Sequence, residues 1–147
     1  MSTTISTTSD RGVMPGWFKA LAALFVLWNL FGVAMYLSSV GIFGDPTVGM
    51  SEAERAAATS VPAAVTGAFA LGTLAGLLGS VGLLLGRRWA YPVLILSLVA
   101  LLVLEGWIVF LSGDLEFHGL AIPITVTLGA LLLAWIAHHG RSRGWLR

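Results

Sequence analysis

Cysteine is absent from the chain, which excludes disulfides, thiol nucleophiles and thiolate metal sites together. Charge is nearly as scarce: 10% of the 147 residues are Asp, Glu, Lys or Arg, against about 25% in an ordinary soluble domain. The formal net charge of +1 is too balanced for a nucleic-acid-binding face, which needs clustered Lys and Arg. There is no Gly-rich phosphate loop joined to a strand, no His-x-x-x-His or His-Glu-x-x-His pair, and no serine placed at a common depth with a His and an acid. The sequence thus offers no catalytic constellation, and neither an enzyme nor a cofactor or metal is expected.

What is present is apolar. Hydrophobic residues make up 57% of the chain and the mean hydropathy is +0.91. Four runs, at about 17–40, 61–86, 89–112 and 120–138, are each long enough to cross a hydrocarbon core of about 30 Å at roughly 1.5 Å per residue. Strands would be half as long and would alternate polar with apolar, so helices are the only solution. The expected fold is all-α, an integral membrane bundle of four transmembrane helices over 17–139 in contact with the lipid bilayer. The Ser/Thr-rich residues 1–16, ending in Pro15 and Gly16, are expected to form a disordered cytoplasmic tail, and 140–147 a basic one. Ser39-Val40-Gly41 has the form of a signal-peptidase site, but the run before it exceeds the roughly 7–15 residues of a signal-peptide core.

The long loop 41–60 holds Ser51 and Glu54 at capping-box spacing. A short extracytoplasmic helix should therefore start near Glu52, with Pro62 marking its joint to span two. Arg11, Lys19, Arg87, Arg88, Arg141, Arg143 and Arg147 all fall on one side of the four spans, whereas the other side carries Arg55 among Asp45, Glu52, Glu54, Asp114 and Glu116. Basic short loops stay cytoplasmic, so both termini are expected inside. Trp17, Trp89, Trp145 and Tyr91 then lie at the inner boundary, the level that amphipathic rings favour.

Span two carries Gly72, Gly76, Gly79, Gly82 and Gly86. At 100° per residue these occupy an arc of roughly 120°, a groove that lets another backbone come close. In lipid such grooves give van der Waals packing in place of a hydrophobic driving force. The neighbour is either span one or three of the same chain, or a second molecule. Gly86 can also end span two in a left-handed cap, and Pro92 suits the first turn of span three, so the two form an antiparallel hairpin.

One carboxylate, Glu105, lies within span three. A charge at membrane depth costs about 2.5–3.5 kcal/mol on insertion scales, so such an acid has a partner or a task. Counting from Ser112 puts it roughly 10 Å below the outer boundary, level with Asn29 in span one, Thr66 in span two and Thr125 in span four. The depth match predicts a polar layer of these four, with an uncharged Glu105 donating to Asn29. Three roles remain open: interhelical glue, a proton or solute site, and an acid that snorkels outward or touches a water-filled lumen. Glue requires a closed, dry layer, whereas transport requires a cavity reaching one surface. His118 beside Asp114 and Glu116 lacks regular metal-ligand spacing, and His138 and His139, followed by arginines, suit contact with anionic lipid.

The stretches "LWNLFGVAMY" in span one and "LGTLAGLLGSVGLLLGRRWAYPVLILSL" across spans two and three, with the loop proline Pro62, resemble a group of small four-span bacterial inner-membrane proteins commonly labelled sugar transporters. The resemblance covers roughly residues 25–112. It departs from the group at Ala63 and Ala64, where an aromatic follows the loop proline. What it implies is a bacterial inner-membrane location and small-solute, sugar-type transport, or an accessory subunit of it, as an oligomer. It maps onto Trp28, Asn29, Gly32, Tyr36 and the span-two glycines. The alternative from another class is a scaffold that binds a partner helix through the glycine face.

Overall fold

The computed structural model describes residues 13–112 and 121–147. Among them the chain forms α1 (Gly16–Ser39), α2 (Glu52–Thr59), α3 (Ala63–Leu84), α4 (Ala90–Trp107) and α5 (Ala121–Ser142), and no strand. Helix α4 continues into a wider π-helical turn at Ile108–Ser112. Four of the helices are long and apolar enough to span a membrane, and the chain is a multi-pass, all-helical membrane protein. Of the tail expected over residues 1–16, residues 1–12 lie outside the described residues, as do Asp114, Glu116 and His118, while Met14 packs against the core and Gly16 already belongs to α1.

Leu27, Phe31, Leu78 and Leu128 are among many large apolar side chains on the outside of the bundle. Helices apolar all round are what lipid requires, because no polar face has to be kept wet. Pro15 and Pro62, both extended, precede the first residues of α1 and α3. A proline there loses nothing, because the first-turn N–H groups have no intrahelical partner.

Three helices stop in the same way. Gly41, Gly86 and Gly144 each have positive φ. The paired hydrogen bonds are Gly41 N–H to Ser38 O with Ile42 N–H to Leu37 O, Gly86 N–H to Leu83 O with Arg87 N–H to Gly82 O, and Gly144 N–H to Arg141 O with Trp145 N–H to Gly140 O. This is the Schellman arrangement, in which a left-handed residue turns the chain back to satisfy the last carbonyls. Helix α2 starts at Ser51, whose hydroxyl accepts from Glu54 N–H while the Glu54 carboxylate accepts from Ser51 N–H, so the expected capping box is formed.

Helix α3 is central, packed on α1 and α4, and α4 carries α5 on its other flank. The glycine groove of α3 is filled from within the chain. A Cβ at Gly72 would stand 2.7 Å from Leu101 Cδ2, one at Gly79 2.5 Å from Leu94 Cδ2, and one at Gly82 2.9 Å from Ala90 Cβ, all on the α4 side of the groove. At Gly76 it would fall on the Asn29 amide of α1 and lie 3.0 Å from Ser97 Oγ of α4. Of the neighbours that the sequence left open, α1 and α4 of the same chain occupy the groove.

The start of α1 and the last residues of the chain gather at one end of the bundle. Phe18, Phe25, Leu83, Leu94, Leu133, Ile136, Ala137 and Leu146 form the core there, with Trp17, Trp145 and His139 ringed about it. Helix α5 runs to Ser142 rather than 138, because Gly140 lets Phe18 lie against its backbone: a Cβ there would meet Phe18 Cζ at 2.7 Å. The last residues are held as well. Arg147 N–H donates to Gly86 O at 2.6 Å, Arg88 N–H to Arg147 O at 2.9 Å, and Arg88 Nε–H to Leu146 O at 3.1 Å. The chain end is thus stitched to the α3–α4 link, which also places Arg141 over the Tyr91 ring at 5.0 Å, a cation–π geometry.

Candidate functional site

At the opposite end the bundle holds a half-open cavity of about 990 Å³ lined by residues of all five helices and of the α1–α2 loop. Asn29, Thr66, Glu105 and Thr125 all line it. They come together because each sits at a similar distance along its helix, and because those helix faces are turned toward a common interior. They do not form a hydrogen-bonded layer.

Asn29 is 8% exposed, and its amide donates to Phe25 O at 2.8 Å and to Ser80 Oγ at 3.2 Å. Ser80 in turn donates to Gly76 O at 2.8 Å. Neither residue hydrogen-bonds the other, so the expected bond from Glu105 to Asn29 is not made. Asn29 follows the glycine groove, where only Gly76 leaves room for its amide. The interhelical polar contacts here are Asn29 to Ser80, joining α1 to α3, and Ser97 Oγ–H to Gly72 O at 2.6 Å, joining α4 to α3. Each bond of this kind is worth about 0.6 kcal/mol in membrane proteins, rarely above about 1.7. Ser80 and Ser97 were missing from the depth-matched set, although Ser80, one turn from Gly76, already signalled a hydroxyl within the tight helix contact.

Thr125 donates to Ala121 O at 2.8 Å, and Thr66 is half-buried on the cavity wall. Glu105 is only 8% exposed, yet among the described residues its Oε2 has no hydrogen-bond partner. A buried acceptor without a donor costs about 1–3 kcal/mol, more when charged. The π-helical turn begins three residues after it, and such widened turns occur disproportionately at functional positions.

The cavity narrows toward the terminal end. A crevice of about 20 Å³ continues between α1, α4 and α5, sharing Trp28, Asn29, Leu101 and Val126 with the main chamber and bounded beyond them by Phe25, Leu94 and Leu133. The apolar core closes the route from there. At the wide end the wall includes Ser39, Pro46, Thr47, Met50, Ala58 and Thr59. Thr47 is fixed by Asp45, whose carboxylate accepts from the Thr47 hydroxyl at 2.7 Å and from its N–H at 2.8 Å. Those bonds, with the hydroxyl the larger influence, hold the Asp45 carboxyl below its ordinary range.

The chamber is therefore a half-open pocket with the α1–α2 loop at one edge, apolar walls of which Trp28, Met35 and Ile122 are partly exposed on the outside of the bundle, and one carboxylate whose Oε2 is unpartnered. Its size and mostly apolar lining with few polar groups are those of small-molecule sites, about 300–1,000 Å³. The chain matches no protein-family model, no curated protein and no solved structure.

Proposed function

We propose that the protein takes a small solute into this pocket from the outer side of a bacterial inner membrane and acts as a transport component or an accessory subunit of one. The observation that carries the reading is Glu105, buried on the wall of a drug-sized chamber with Oε2 lacking a partner. Interhelical glue accounts poorly for such a group, because the glue contacts use Asn29, Ser80 and Ser97. The distribution of Lys and Arg supports cytoplasmic termini, which turns the mouth outward and makes α2 extracytoplasmic. A pocket closed by the core at its inner end supports action as an oligomer or with a membrane partner, because a route across the bilayer then needs a rearrangement or a second protein. The resemblance to four-span proteins labelled sugar transporters makes sugars one solute class to test.

The test is uptake into proteoliposomes holding wild type or Glu105→Gln, with a panel of labelled sugars and of small amphiphiles. Uptake of one class by wild type, reduced at least ten-fold in the variant, supports the reading. If no panel solute enters or binds and the two proteins behave alike, the reading is refuted.

A further inference from the structure

The pocket specifies the chemistry of its occupant more narrowly than its size does. Glu105 is the one ionisable side chain among the described residues of the lining, which includes no Lys, Arg or His on any of α1, α2, α3, α4 or α5. Among the described residues of the lining an anionic ligand would meet no countercharge. The polar side chains around it are largely committed as donors: Asn29 to Phe25 and Ser80, Ser39 to Tyr36 O, Thr47 to Asp45, Thr59 to Arg55 O, Thr73 to Phe69 O and Thr125 to Ala121 O. What the wall retains is acceptor capacity, foremost Glu105 Oε2. A polyhydroxylated sugar must both donate and accept around its ring, so it complements this wall poorly. A ligand that brings donors and positive charge on one end complements it well.

The remaining wall sets the other end. Trp28, Phe69, Leu104 and Ile108 line the same chamber as the acid, and aromatic faces also attract cations, best of all Trp. We propose that the pocket binds a monocationic amphiphile, an organic ammonium carried on a ring-sized apolar body, with the ammonium hydrogen-bonded to Glu105 and the body against Trp28 and Phe69. This rests on the pocket being a solute site. It adds the class of solute. Removing an uncompensated acceptor and neutralising the acid's charge are both achieved by one such group, whereas a lipid acyl chain filling the same space would achieve neither.

Binding of 1-naphthylmethylammonium and of neutral 1-naphthylmethanol to the full chain in zwitterionic-lipid nanodiscs, measured by equilibrium dialysis against empty nanodiscs, tests this. The ammonium is expected to bind wild type at least ten-fold more tightly than the alcohol. Glu105→Gln should abolish that preference while keeping the alcohol's affinity, which also reports an intact pocket, and Glu105→Asp should restore part of it. Equal binding of both probes to wild type overturns the cationic class and leaves the solute pocket standing, and this comparison needs no variant to fold. A preference for the ammonium that survives in Glu105→Gln overturns Glu105 as the anchor. Binding of neither probe overturns the class and the solute-pocket reading together.

Discussion

Substituting Gly76 by alanine tests the packing that builds the pocket floor. A methyl there falls on the Asn29 amide and within 3.0 Å of Ser97 Oγ. Neither neighbour yields easily. Asn29 is tied to Phe25 O and Ser80 Oγ, and Ser97 to Gly72 O. Overpacking a tight contact costs about 1–3 kcal/mol, and losing an interhelical hydrogen bond adds about 0.6–1.7 kcal/mol, so Gly76→Ala should destabilise by about 2–5 kcal/mol. Gly72→Ala should also destabilise, because its new methyl meets Leu101 Cδ2 at 2.7 Å and Cγ at 2.9 Å. Gly67 has nothing within 4 Å, and Gly67→Ala should be neutral or stabilising by up to about 1 kcal/mol from helix propensity. Reversible unfolding in mixed micelles titrated with SDS, followed by circular dichroism, ranks the three. Equal stability of Gly76→Ala and Gly67→Ala would refute the argument that α1 and α3 touch through this glycine.

Two further predictions concern the ends of the bundle. Leu146 is 1% exposed although it is the penultimate residue, and Leu146→Ala should cost about 2–5 kcal/mol in the same unfolding assay, against under about 1.5 kcal/mol for Leu146→Met. A cost near zero for the alanine would mean that the chain end is not docked. Asp45, held below its ordinary value by the Thr47 hydroxyl and N–H, favours the folded loop fully above the unfolded carboxyl's pKa. That contribution is lost as the pH falls through the lower folded value. A carboxyl-carbon NMR titration should show Asp45 titrating below a free aspartate and shifting back toward it in Thr47→Ala. A titration at or above the ordinary value would contradict the turn geometry.

The spans were legible because an unbroken apolar run of this length has one stable solution in lipid. The start of α2 and the stop at Gly86 were legible because caps are local chemistry, written in Ser51, Glu54 and Gly86 themselves. Depth along each span carried Asn29, Thr66, Glu105 and Thr125 into one chamber, since rise per residue is fixed. Rotation about each helix axis was not legible. The spans are apolar on all sides, so nothing in the sequence told whether Asn29 would face Glu105 or Ser80, and the choice fell to how closely Gly76 lets α1 approach. The last turn of α5 and the docked chain end depend in the same way on contacts from afar, namely Phe18 on Gly140 and Gly86 on Arg147.

The natural lack of cysteine makes the central claim, a pocket open at the α1–α2 loop and closed toward the termini, directly measurable. Single cysteines at Thr125, on the chamber wall, and at Ala137, in the closing core, would be challenged with a small membrane-impermeant thiol reagent from either side of the membrane. The account predicts that Thr125→Cys reacts from the outer side alone and is protected by 1-naphthylmethanol, while Ala137→Cys reacts from neither side. Reaction of Thr125→Cys from the cytoplasmic side, or no reaction at all, would contradict it.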